Sequence, residues 1–206
     1  MARMLSGTAI ASFSYLLSAA FAQVAPDQGI PMPEWFNCTG ASATELEVSF
    51  PSPVGAINCG TRLYKCPESP TQTEPTITLA SADAEAGYAV MMIDGSNSAR
   101  HFLMGNVPGY ALAQGFSSEN KTGTILQPYH GPHPPSPGTP GRTDYIHDYG
   151  QFVFKQPSPV LTFDPVNTSS HHGPWCRGCP PENYVAFIQR YKLGNKVASN
   201  YLLCSS

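Results

Sequence analysis

The sequence predicts a mainly β domain, an antiparallel sheet core with a few peripheral helices that include one near the C-terminus. Three observations carry this. Short apolar runs are either alternating or continuous over four to seven residues. The 206-residue chain holds 18 glycines and 21 prolines, which break it into short pieces. Only one stretch has helical apolar spacing. Charged residues make up 12% of the chain, about half the usual share for a soluble domain, and this argues against a helical bundle.

From the N-terminus, Arg3 precedes an apolar and small-residue stretch, Leu5 to Ala20, and Ala20-Phe21-Ala22 offers small residues at a cleavage site. That layout reads as a secretory signal over residues 1–22. Five serines and threonines interrupt the stretch, so it does not read as a membrane span. Residues 23–206 suit a single domain. The formal net charge of −3 gives no broad basic surface, which argues against nucleic acid as a partner.

Residues 23–36 form an irregular lead with Pro26, Pro31 and Pro33. Leu46 to Phe50 alternates apolar and polar, as a half-buried strand does, and Thr76 to Leu79 repeats the pattern. Tyr88 to Ile93 is continuously apolar and reads as a buried central strand. His101 to Val107 is a further strand. Gln151 to Lys155 alternates, with aromatics on one face. Pro128 to Pro140 contains six prolines and reads as a stiff loop, because proline fixes φ and removes a donor. Tyr184, Phe187, Ile188 and Tyr191 form the helical stripe, with Pro180 and Pro181 before it, Glu182 in the first turn and Gly194 beyond the end. Tyr201 to Cys204 is a last short strand.

Six cysteines follow the signal: Cys38, Cys59, Cys66, Cys176, Cys179 and Cys204. An even count in a secreted chain points to disulfides, and the sequence does not choose their pairing. Sequons at Asn37, Asn120 and Asn167 are candidate glycosylation sites. Trp175-Cys176-Arg177-Gly178-Cys179-Pro180 is like a thioredoxin active site, but too little chain follows for that fold, so a structural disulfide is the better reading. His130, His133, His171 and His172 lie in Pro-rich or polar loops without nearby carboxylates, so no metal site is assigned. No motif demands a cofactor.

Several segments, in order, resemble the phosphatidylethanolamine-binding protein family. They are Tyr88 to Asp94, Arg100 to Val107, Tyr129 to Pro135 with His147 to Phe154, and the tail Phe187 to Tyr201. The signal, the cysteines and the short pocket loop look similar to the secreted, disulfide-bearing branch found in fungi. The resemblance implies the family's β-sheet fold and a small pocket for a phosphate- or carboxylate-bearing ligand. Its residues would be Asp94, His101 and His147, with Tyr149, Gly131, Pro134 and Pro135 at the rim. Imidazole and phenol groups donate to oxyanions, and an adjacent Asp orients a histidine. The chain departs from the family at Asp94-Gly95-Ser96-Asn97-Ser98, where the family has Asp-Pro-Asp-x-Pro-Ser, which implies a wider mouth. Asp148 also replaces a family Arg.

The partner implied first is a small anionic ligand or lipid head group. Two further roles follow from the resemblance alone. One is an enzyme or accessory protein in a polyketide pathway that dimerises maleic anhydrides to nonadrides, beside an isomerase-like protein. The other is a serine carboxypeptidase inhibitor, with a protease as partner. The sequence assigns no catalytic residue.

Overall fold

A computed structural model describes residues 44–120, 122–136, 145–166, 168, 172–179 and 183–206. Its strands are β1 (Thr44–Glu45), β2 (Glu47–Phe50), β3 (Gly55–Ile57), β4 (Thr61–Leu63), β5 (Thr76–Thr78), β6 (Gly87–Asp94), β7 (Ala99–Pro108), β8 (Thr124–Gln127), β9 (Ile146–Lys155) and β10 (Lys196–Ser205). Two α-helices are described, α1 (Gly109–Ala113) and α2 (Tyr184–Arg190).

The large sheet runs β10-β9-β6-β7-β8 with every neighbour antiparallel. Two short strands, β1 and β4, lie parallel along the outer edge of β10. A small sheet, β3-β2-β5, is separate. Strand β6 sits at the centre and is buried along its whole length, as its unbroken apolar sequence requires. Its alternate residues serve two cores. Val90 and Met92 face the small sheet and α1, together with Val48, Ile77 and Leu112. Ala89, Met91 and Ile93 face α2 and the loops before it. The domain is therefore layered: small sheet, large sheet, helix with loops.

The alternation expected from Leu46 to Phe50 is present, with Leu46, Val48 and Phe50 buried and Glu47 exposed. The terminal strand is longer than its apolar residues suggest. Polar Ser199 and Asn200 lie inside it, because β10 is covered on one edge by β9 and on the other by β1 and β4. Helix α2 starts at Tyr184, the first residue of the expected stripe. Its N-cap is Asn183, whose side chain accepts from the Ala186 N–H at 3.0 Å; Pro180, Pro181 and Glu182 lie outside the described residues. The aromatic face of α2 packs where expected. Phe187 stacks on Phe163 at 6.0 Å and meets Trp175 and Tyr191 at 6.2 and 4.8 Å between ring centres.

This aromatic cluster closes the outer core. Truncation of Phe187 to alanine is expected to lower the unfolding free energy by about 3–5 kcal/mol in denaturant titrations. A loss below about 1 kcal/mol would mean that α2 does not seal the sheet.

Candidate functional site

Asp94 is the last residue of β6, and strand register brings it opposite Tyr149 of β9 and Ala99 of β7. Side chains alternate across a strand, so Asp94 lies on the same face as Met92 and Val90. His147, Tyr149 and Val153 lie on that face of β9. The His147 Nδ1–H donates to Asp94 Oδ2 at 2.7 Å, and both side chains are 2% exposed. The other carboxylate oxygen accepts the Ser96 N–H at 2.9 Å. The Gly95 N–H donates to the Asp148 carbonyl at 2.6 Å and ties the turn after Asp94 to β9.

His101 reaches this face through an irregularity. In β7, Phe102 pairs with Met92 and Arg100 pairs with Ile93, so His101 is an extra residue of β7 in the register with β6. This is a β-bulge, and bulges re-aim side chains. Arg100 points to the outer core, where its guanidinium lies over Trp175 and donates to the carbonyls of Gly173 and Pro174 at 3.2 and 2.8 Å. His101 instead meets the Tyr149 ring edge-on, 5.0 Å between centres. Its Nδ1 is 2.9 Å from the His130 carbonyl. A carbonyl only accepts, so that nitrogen carries the proton.

Both histidines thus spend their Nδ1 proton inside the protein. A neutral ring has no second N–H, so either Nε2 donates to a ligand only when the ring is protonated. Burial, and next the Asp94 charge, push the Tyr149 phenol well above its usual range and keep it protonated. Its oxygen accepts the His133 N–H at 3.0 Å, and its O–H is hydrogen-bonded to the Asp94 carboxylate, which only accepts, so the phenol proton is held by Asp94. Asp148 beside them is pushed up from the ordinary 3.8, chiefly by burial and then by Asp94, against the opposing pull of His147.

The loop over these groups is held from outside. The His130 N–H donates to the His101 carbonyl at 2.7 Å. Tyr129 donates its hydroxyl to the Thr71 carbonyl at 2.7 Å. Gln72 Nε2 donates to the Pro132 carbonyl at 2.8 Å and to the Cys66 carbonyl at 3.0 Å. Ser206 Oγ donates to the Pro135 carbonyl at 2.8 Å. The anchor of this scaffold is a disulfide between Cys66 and Cys204, Cα atoms 5.9 Å apart. Cys204 is the cross-strand partner of His147, so the bridge joins the loop support to the strand position opposite the histidine.

The expected residues are therefore partly assembled. Asp94, His101, His147 and Tyr149 come together on one face. Tyr149 is 0% exposed and forms the floor rather than the rim, because its phenol reaches up to the loop. The mouth is not wide: Asp94, His101 and His147 are 2%, 4% and 1% exposed, since the loop seals over them. The contacts of Gly131 and Pro135 run to Gln72 and Ser206 rather than to the histidines, while Pro134 is buried in the loop. Gln72 was not signalled by any motif. Cys176 and Cys179 are bonded to each other with Cα atoms 5.1 Å apart, in a loop packed on the sheet rather than at the start of a helix. Cys59 is also disulfide-bonded. Asn120 ends a short turn, Ser118–Asn120. Residues 1–22, Cys38, Asn37, Asn167 and 137–140 lie outside the described residues.

No family model and no curated relative matches the chain in sequence. Its fold is similar to that of carboxypeptidase Y inhibitor, solved with its cognate proteinase, at a TM-score of 0.56 and 17% identity over 78% of this chain and 82% of that one. It also matches YbcL of E. coli, a member of the mammalian phosphatidylethanolamine-binding protein family, at a TM-score of 0.47 and 14% identity over 79% and 99% of the two chains. The fold class implied by the motifs is the fold found.

Two outcomes follow from this geometry. The Cys66–Cys204 bridge closes a span of 138 residues, so the double Cys66→Ala, Cys204→Ala variant is expected to lose about 5 kcal/mol of stability, measured by denaturant unfolding. A loss under about 1 kcal/mol would remove the bridge from the scaffold. For Asp148 the folded protein favours the neutral carboxyl. That contribution is complete below 3.8 and is lost as pH rises through the higher folded value. Asp148→Asn is therefore expected to stabilise the protein at pH 7, by less than about 1 kcal/mol because water screens this half-buried group, and not at pH 3. An equal effect at both values would contradict the assignment.

Proposed function

We propose, from the premise of that shared fold, that the chain is a binding module for a small anion. The ligand class is a phosphate or carboxylate, free or as a lipid head group. The observation that carries this reading is the convergence of Asp94–His147, His101 and Tyr149 on one buried face. Two imidazoles that become donors on protonation suit an oxyanion. Asp94 favours the imidazolium form of His147 by its charge.

Binding is then linked to protons. Each Nε2 that donates to the anion brings one proton with it. Asp94 and Tyr149 lie on the face of these rings, Asp148 acts on His147 through its charge, and the His130 ring stands 6.2 Å from His101 as a further imidazole beside the site. The reading also places the chain in the secretory path or outside the cell. Support comes from the signal-like N-terminus and the disulfides at Cys66–Cys204 and Cys176–Cys179. Among the described residues, no helix is long and apolar enough to cross a membrane.

A second reading is inhibition of a serine carboxypeptidase, favoured by the fold likeness to carboxypeptidase Y inhibitor. A carboxypeptidase assay against the purified protein separates the two.

The test is calorimetry with inorganic phosphate, phosphorylethanolamine and succinate. Affinity is expected to rise as pH is lowered from about 8 to about 6, where imidazole titrates. Heats measured in buffers of different ionisation enthalpy are expected to report proton uptake. His147→Ala and Asp94→Ala are each expected to weaken binding at least about tenfold. Variants that bind as well as the parent would sink the reading.

A further inference from the structure

Gln151 and Asn200 stand directly opposite each other on β9 and β10, both 1% exposed, on the face that carries Tyr149. Their neighbours are apolar: Met92 across β6, Val153 along β9 and Leu202 along β10. Asn200 Nδ2 donates to the carbonyls of Leu46 and Ile57 at 2.7 and 3.2 Å. Those two acceptors fix the orientation of the amide, because a flipped amide would set oxygen against oxygen. Among the described residues, Asn200 Oδ1 and both amide atoms of Gln151 have no hydrogen-bond partner. An amide pair buried in an apolar layer calls for such partners.

We infer that Gln151 and Asn200 form an inner subsite of the anion pocket that takes an uncharged proton-donating group of the ligand: a hydroxyl, an undissociated carboxyl or an amide. The chemistry narrows the choice. A turn of the Gln151 side chain can bring its Nε2 to Asn200 Oδ1, which serves two of the three atoms. Gln151 Oε1 then still needs a donor. Without that turn, Asn200 Oδ1 needs one. A carboxylate or a fully ionised phosphate group has none to give, and an ammonium offers nothing to the Gln151 N–H groups.

Position sets the ligand's length. Gln151 is two residues along β9 from Tyr149, about 7 Å in strand geometry. Met92, two residues before Asp94, flanks the same spot, and its unbranched chain can repack around an entering group. The ligand class is thus a bifunctional molecule, anionic at one end and neutral and hydrogen-bonding at the other.

This inference rests on the anion reading, and the test separates the two. Pentanoate is compared with 5-hydroxypentanoate, whose hydroxyl stands about that distance from its carboxylate, with inorganic phosphate alongside. The hydroxy acid is expected to bind about tenfold more tightly than pentanoate. The Gln151 side-chain amide signals in 1H–15N spectra are expected to move with the hydroxy acid and stay put with pentanoate. In Gln151→Met the preference is expected to vanish. If that variant fails to fold, the spectra of the parent protein decide. Equal affinities with unmoved Gln151 signals would overturn the subsite and leave the anion pocket standing. Failure of pentanoate and phosphate alike to bind would overturn the anion reading, and the subsite with it.

Discussion

A single hydrogen bond, His147 Nδ1–H to Asp94 Oδ2 at 2.7 Å, joins the ends of the two central strands where both are almost wholly buried. Its place follows from the sheet. Strand β6 is sandwiched between two apolar cores, so a carboxylate is tolerated only where the strand runs out and a partner is at hand. Asp94 meets that condition because β9 supplies an imidazole on the same face. Breaking the pair would leave a charge in an apolar layer. The rest of the site is arranged around it: the bulge that turns His101 inward, the phenol beneath, and the loop above.

The loop is kept in place by a scaffold that does no chemistry. Cys66, Thr71 and Gln72 carry the weight of Tyr129 and Pro132, and the bridge to Cys204 fastens them to β10. Proline stiffness alone does not account for the fixed loop. Proline removes donors, and the loop's carbonyls are instead served by side chains from distant segments. Arg100 makes the same kind of tie on the opposite face, binding the Gly173–Pro174 segment to the sheet. Two adjacent residues, Arg100 and His101, thus hold opposite layers by strand alternation, and the bulge sets which of them faces the site.

Much of this was legible in the sequence. The unbroken run from Tyr88 to Ile93 announced a strand buried on both faces, and the alternation of Leu46 to Phe50 announced a half-buried one. Asp94, His101, His147 and Tyr149 were legible through motif resemblance. Other features were not, for physical reasons. Strands β3 and β4 are three residues each and lack a periodic pattern to read. The extent of β10 is set by neighbours on both edges, so its polar residues mislead. The bulge at His101 depends on pairing with β6, which no local pattern encodes. The burial of Asp94, His101 and His147 was not legible because the loop over them is held by Gln72 and Ser206, far away in sequence. Gln151 read as part of an alternating strand, and only the register with Asn200 reveals an amide pair.

The central claim is that both imidazoles keep their Nδ1 protons inside the protein and become anion donors by taking up a second proton at Nε2. Histidine-selective 15N NMR at pH 7.5, without and with saturating inorganic phosphate, tests this most directly. The account predicts that His101 and His147 are protonated at Nδ1 in the free protein. It predicts that phosphate converts His147, and His101 with it, to rings protonated at both nitrogens. Ring nitrogens that bind phosphate without gaining a proton, or that carry the free-state proton on Nε2, would contradict it.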